Sequence, residues 1–372
     1  MDSLPTEILV QILDDAELEV EDLAALSKVS RRWHQAVIPN LYKRYTLRYP
    51  DELHAAGRKK LESFQKYGSH VKHLNLHITQ WNKRGEGLIE GELQKDNAEA
   101  DIYNYLDILH SFPEVTTVEH YDMHLRDINW SEFWAILNHF LSKKRKLTSL
   151  IIRRRLSYSS RPCAEGDLEP VELHPTPPLQ QLKRFSLRIN TPTGGSDNLT
   201  SFPFFYENFV RVVGNSCKRV TKLELFLNIF ELAKSEKLED LWGMQFPLLP
   251  VDNVKELSYE VLPGAIPPPN LIDTDFSQVE VLRGPYWVCG RWLDWALPAV
   301  PDLQIFQKLR VLEVTDQPYA SRDKDFWNLI EKVVRQLPSV KFLVLEEEEL
   351  RFEVARKPDG CPVWVERPYL LL

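Results

Sequence analysis

The chain has 372 residues, a net charge of −8, 43% hydrophobic residues and 27% charged ones. That length accommodates a small module plus one large domain, and the composition is globular rather than disordered. The acidic balance argues against a general nucleic-acid binder, and no run approaches the eighteen apolar residues of a membrane span.

From the start of the chain, apolar residues recur at Leu4, Ile8, Leu9, Ile12 and Leu13. They recur again at Leu23, Leu26, Val29, Trp33 and Val37. This is the spacing of helices that bury one face. Pro5 suits a first helical position, Asp22 a cap for the second helix, and Pro39 a break after it. Charges are acidic from Asp2 to Asp22 and basic from Lys28 to Arg48, which suits helix dipoles or the steering of a partner. Two or three short helices make too small a core to stand alone, so this stretch reads as a docking module.

The order Leu4-Pro5-x-Glu7-Ile8-Leu9, Ile12-Leu13, Asp22-Leu23, Val29-Ser30-Arg31-Arg32-Trp33 and Leu41-Tyr42 resembles an F-box. The link Asp14–Glu21 is slightly longer than is usual in that family. The resemblance implies binding to the SKP adaptor and, through it, to the cullin and RING subunits of a ubiquitin ligase. Carried over residue by residue, it places adaptor binding on Leu4, Pro5, Ile8, Leu9, Ile12, Leu23, Val29, Trp33 and Leu41. The spacing does not divide these between the adaptor and the module's own core.

Asp51 to Tyr67 reads as a helix, and then an apolar-x-x-apolar-x-apolar pattern repeats. It runs Val71-Leu74-Leu76, Val115-Val118-His120, Leu147-Leu150-Ile152, Leu182-Phe185-Leu187 and Val220-Leu223-Leu225. It continues Val254-Leu257-Tyr259, Phe276-Val279-Val281, Leu309-Leu312-Val314 and Val340-Leu343-Leu345. The units lie about 34 residues apart on average, longer than ordinary leucine-rich repeats. Asn190 and Asn228 stand where such repeats carry an asparagine, and His120 breaks the apolar pattern. Helical stretches fill the intervals at Ala100–Phe112, Ser131–Lys144, Pro203–Cys217, Ile229–Trp242 and Asp323–Leu337.

The expected fold is therefore α/β: a small α-helical F-box module over residues 1–50, then a degenerate leucine-rich-repeat-like solenoid over 51–350. Its parallel strands would line the concave side, with helices outside. Residues 351–372 read as a hairpin cap, with Lys357-Pro-Asp-Gly360 as its turn and a role in covering the last sheet edge. Trp81–Ala98, Ser157–Pro178, Thr191–Thr200 and Pro263–Asn270 have the composition of surface loops.

Catalytic motifs are scarce. The glycines at Gly85, Gly87 and Gly91 are spaced one residue too wide for a dinucleotide loop, and no phosphate-binding, zinc-protease or nucleophile-elbow motif occurs. Cys163, Cys217, Cys289 and Cys361 lie far apart without zinc-ligand spacing, which reads as reduced thiols of a protein in cytoplasm or nucleus. His73 and His77 share a strand face but read as a solvated pair rather than a metal site. The expectation is a non-catalytic receptor with no cofactor or metal.

Two features are candidates for binding a protein substrate. The first is a basic row, Lys72, Lys183, Lys222, Lys255, Arg310 and Lys341, joined by Arg153, Arg184 and Arg188. It would take an acidic or phosphorylated segment, or simply keep exposed strands soluble. Nucleic acid is disfavoured there because aromatic stacking residues do not interleave with the row. The second is Tyr286, Trp287, Arg291, Trp292 and Trp295, residue types of interface hot spots and also of ordinary cores. The sequence thus reads as the substrate-recognition subunit of an SKP–cullin–F-box ligase. The alternative is an adaptor-bound scaffold or binding module with no ligase role.

Overall fold

The computed structural model describes residues 4–15, 18–49, 55–78, 105–125, 130–156, 181–191, 219–229, 252–261, 276–284, 306–315, 324–346 and 348–368. The chain divides into two compact units, residues 1–125 with 131–153 and residues 126–130 with 154–372.

The first unit opens with α1 (Thr6–Asp15), α2 (Val20–Leu26) and α3 (Arg31–Leu41). What the apolar spacing suggested as one second helix is two, because Ser30 starts a new one: its Oγ accepts from the Trp33 amide at 3.2 Å. Asp22 is not a cap. Glu19 holds that place without a side-chain bond, and Asp22 sits with Glu21 in the first turn, where acids favour the helix dipole. Nor does Pro39 end a helix. It lies inside the last turn of α3, which closes at once with the Tyr42 amide on the Ile38 carbonyl at 3.1 Å.

The strand β1 (Arg44–Tyr49), within the first fifty residues, pairs in parallel with β2 (His73–Ile78), with α4 (Ala55–Lys66) between them. Helical residues 105–110 (α5), β3 (Thr117–Leu125), α6 (Trp130–Lys143) and β4 (Ser149–Leu156) follow. The second unit contains β5 (Arg184–Thr191), β6 (Lys222–Ile229), β7 (Glu256–Val261), β8 (Val281–Gly284) and β9 (Val311–Val314). Then come α7 (Lys324–Gln336), β10 (Phe342–Leu345), β11 (Leu350–Arg356) and β12 (Pro362–Arg367). Strand neighbours follow chain order within each unit. β5 to β10 run parallel, whereas β11 and β12 pair antiparallel through the turn ending at Gly360.

One backbone device recurs along the parallel strands of each unit. The carbonyl one residue ahead of a strand accepts two successive amides from the chain leading into the next strand. Lys72 O takes Thr116 N and Thr117 N at 2.9 and 3.0 Å, and Thr116 O takes Thr148 N and Ser149 N at 2.8 and 3.0 Å. In the second unit Lys183, Thr221, Lys255, Glu280 and Arg310 do the same in series. Where that residue is threonine, its own hydroxyl joins in, as Thr148 Oγ1 does on Thr116 O at 3.0 Å.

Behind this ladder the apolar positions are sealed: Leu74, Leu76, Val118, Leu150, Phe185, Leu187, Leu223, Leu225, Leu257, Leu312 and Leu343 are all buried. His120, the exception in the pattern, is buried too, edge-on to Tyr105 and Phe140. The strand register corrects one repeat. Val281 pairs with Val311 and Leu282 with Leu312, so the seventh unit is Val279-Leu282-Gly284 rather than Phe276-Val279-Val281.

Phe276 belongs to a repeat position absent from the sequence reading, three residues before the first apolar one. Phe112, Phe276, Phe306 and Leu337 occupy it, all buried, and Phe276 stacks on Phe306 at 5.2 Å. Gly68 occupies it in the first unit because a Cβ there would lie 1.9 Å from the Ser111 carbonyl oxygen. Lys144 takes the same place after α6; its buried ammonium donates to the Leu109 carbonyl and, at 3.0 Å, to that of Phe112.

α7 buries Phe326, Ile330, Val333 and Val334, one face at helical spacing. Its Trp327 meets Phe352 and Trp364 at 5.3 and 5.0 Å, so the helix covers the hairpin. The expected helix at Pro203–Cys217, most of Ile229–Trp242, the loop segments Trp81–Ala98, Ser157–Pro178 and Pro263–Asn270, all of Thr191–Thr200 but Thr191, and Tyr286–Trp295 lie outside the described residues. Ile229 itself ends β6.

Candidate functional site

The helical module builds its core from Leu9, Leu13, Leu23, Ala36 and Val37, with Leu4, Val10, Leu18, Leu26, Trp33 and Leu41 packed partly against it. Four other large apolar residues stay outside, whereas Ile38 is buried. Ile8 is 41% exposed, Ile12 46%, Val20 63% and Val29 65%. Ile8 and Ile12 are one helical turn apart, so they share a face of α1. Burying an aliphatic side chain of this size stabilises by roughly 1.5–3 kcal/mol, a gain the module forgoes at four places. An exposed apolar pair on one helix face, such as Ile8 and Ile12, is a candidate interaction surface.

The nine positions carried over from the F-box resemblance therefore separate by burial. Leu9 and Leu23 are internal; Ile8, Ile12, Val29 and Pro5 are exposed; Leu4, Trp33 and Leu41 are half-buried against the core. Val20, which the sequence reading passed over, belongs with the exposed set. Its only signal was its position just ahead of the regular apolar spacing.

Residues 1–48 match the family model of the F-box-like domain. The chain carries an F-box-like domain. A comparison with curated proteins found no match. The F-box-like residues extend through β1, the first strand of the sheet, so the domain and the strands that follow are continuous in hydrogen bonding.

On the sheet, register corrects the basic row. Lys183 aligns with Thr221, Lys255, Glu280, Arg310 and Lys341, one residue ahead of the strands. Lys222 is one position further on, level with Arg184 and Glu256. Much of the row is already neutralised. Arg184 holds the buried Glu224 at 2.9 Å, and Lys222 holds Glu256 at 2.6 Å. Lys255 meets Glu280 at 3.4 Å, and Lys72 meets Glu114 at the same distance. Glu224 pays the cost of burial, yet the hydrogen bonds and positive charge around it hold its carboxyl below the usual range. Arg283 lies between Glu313 and Glu346. Arg188 instead lies over the Phe226 ring at 4.1 Å, and Arg153 over the Tyr121 ring at 4.9 Å. Lys183 is exposed; Trp287 and Arg291 lie outside the described residues.

Among the described residues no group of His, Cys, Asp and Glu could hold a metal ion, and no helix is long and apolar enough to cross a membrane. Two buried bases in the first unit have structural surroundings. Burial, with help from Lys144 and His110, pushes His139 down to about 3, and burial pushes Lys144 down to about 8.

Proposed function

We propose that the chain is the substrate-recognition subunit of an SKP–cullin–F-box ubiquitin ligase, with the F-box-like domain seated on the SKP adaptor. The observation that carries this reading is the set of apolar side chains the domain leaves outside. Ile8, Ile12, Val20 and Val29 are the adaptor contacts; Pro5, Leu4, Trp33 and Leu41 form their margin; Leu9 and Leu23 hold the domain's shape. The repeated strands are a leucine-rich-repeat-like solenoid, a reading supported by the carbonyl that takes two amides along the successive parallel strands of each unit. The domains are residues 1–50 for docking, 51–350 for recognition and 351–372 as the cap. The receptor works by proximity: it holds a protein substrate near the charged ubiquitin carrier and raises the effective concentration of the acceptor lysine.

Replacing Ile8 and Ile12 by Asp tests this. Co-purification with the adaptor is expected to vanish while far-UV circular dichroism and the unfolding midpoint stay as in the unsubstituted chain. Undiminished adaptor binding by a folded variant sinks the reading. A chain that retains the adaptor but never recruits the cullin is instead a scaffold.

A further inference from the structure

The open sheet face of the first unit differs from that of the second in how its charges are met. Along each strand, residues that alternate with the buried ones form rows across β1 to β4. Arg44 and His73 are level in one row, and Arg48, His77 and Tyr121 are level in another. Arg153 extends the second row. Its guanidinium lies 4.9 Å over the Tyr121 ring, whose other neighbour His77 is stacked at 4.8 Å with an interplanar angle of 8°. Arg44 and Arg48 are exposed, and His73, His77, Tyr121 and Arg153 are half-exposed.

Glu119, a carboxylate on the same face, already accepts the Tyr121 hydroxyl at 2.7 Å. Arg44, Arg48 and Arg153 make no ion pair with a described carboxylate, whereas in the second unit Arg184, Lys222 and Arg283 all do. The surplus is felt by the histidines. Burial and then Arg44 and Lys43 lower His73, and burial and then Arg48 lower His77.

Strands lie about 4.8 Å apart and rise about 3.3 Å per residue. Arg44, Arg48 and Arg153 therefore frame a patch roughly 13 Å by 14 Å. Guanidinium planes suit carboxylate or phosphate oxygens in pairs, and stacking on Tyr121 fixes one of them in advance.

We infer that the β1–β4 face, through Arg44, Arg48 and Arg153 around the His77–Tyr121 stack, binds an acidic, extended segment of a protein partner. The occupant follows from charge complementarity: among the described residues of this face, three guanidinium groups stand against one engaged carboxylate. The inference rests on the receptor reading and names the class of segment it recognises. It moves recognition from the neutralised row of the second unit to the first.

The test uses the full chain and four fluorescent probes in low salt: a dodecapeptide alternating Glu and Ser, its phosphoserine counterpart, a Gln-for-Glu control, and a twelve-nucleotide uridine RNA. The acidic peptides are expected to bind and the Gln control not to; their ranking separates carboxylate from phosphate recognition. Arg48→Glu with Arg153→Glu should weaken binding at least about tenfold. Arg44→Glu with Arg48→Glu, two exposed positions, should do the same without risk to the fold, and Lys183→Glu should change nothing. No binding of either acidic peptide, binding by both double variants as tight as by the unsubstituted chain, or RNA bound more tightly than the peptides overturns the inference. Adaptor co-purification, measured on the same samples, is expected to be unchanged; its loss in the unsubstituted chain would count against the receptor reading instead.

Discussion

The F-box-like helices and the strands after them use the same aliphatic residues to opposite ends. In the strands, Leu74, Leu187, Leu223 and Leu312 are sealed, each on a strand hydrogen-bonded to its neighbours. In the helices, Ile8, Ile12, Val20 and Val29 remain outside, because three short helices cannot enclose every apolar face they present. Among the described residues, one region buries its apolar positions and the other leaves four of them in water.

The largest effect should come from treating the two alike. Leu223→Ala in β6 is expected to cost roughly 2–5 kcal/mol, the range for a fully buried leucine. The same truncation at Ile12 should change stability by less than about 0.5 kcal/mol, since its side chain already meets water. Urea unfolding of both variants measures the contrast. Comparable losses would mean that Ile12 is covered in the free chain, and the contrast would fail.

Much of this was legible because it rests on periodicity. Helix α6 lies one residue from its expected start, α7 within one at each end, and the strands at Leu74, Leu150, Leu187 and Leu343 stand where the apolar pattern put them. What escaped lacks a periodic signal. Phe276 passed for the start of a unit because Val279 and Val281 mimic the same spacing, and only pairing with β9 fixes the phase. β1 is the exception, a strand set inside the helical module although Tyr45, Leu47 and Tyr49 alternate with Arg44, Thr46 and Arg48 at the strand period. The cross-strand pairings of the acids in the row escaped too, since Arg184 meets Glu224 forty residues away and Lys222 meets Glu256 thirty-four residues away. The division of Leu9 from Ile8 follows from where α3 packs, which spacing along α1 alone does not reveal.

An intermediate effect separates the regions by pH. His139 on α6 is buried against Phe140 and near His110, Lys143 and Lys144, and its folded pKa is pushed down to about 3. A neutral buried histidine takes up protons only on unfolding, so its contribution is whole above about pH 6.5 and declines as pH falls towards 3. Between pH 7 and pH 5 the loss should be about 2 kcal/mol, an upper figure for a group not wholly dry. The unfolding free energy of His139→Gln should fall less steeply across that interval. Identical slopes in the two proteins would mean that His139 stays solvated, and the first unit's core would be less sealed than its leucines suggest.

The smallest effect probes how little holds the helices together. Ser30 is the side chain that separates α2 from α3, through its bond to the Trp33 amide. Ser30→Ala should cost about 1 kcal/mol, the usual worth of such a cap. In the strands that loss would be diluted by the covering turns on either side. In a core of only Leu9, Leu13, Leu23, Ala36 and Val37 it should appear as earlier fraying of α3. Amide exchange at Trp33 and His34 reports it directly, since their amides are the ones bonded to Ser30. On the proposed docking, adaptor binding should suppress the added exchange, because a ligand that binds only the folded module stabilises it by mass action. Exchange that rises in the free chain and stays raised in the adaptor complex would place the weak point of the module away from the face that docks.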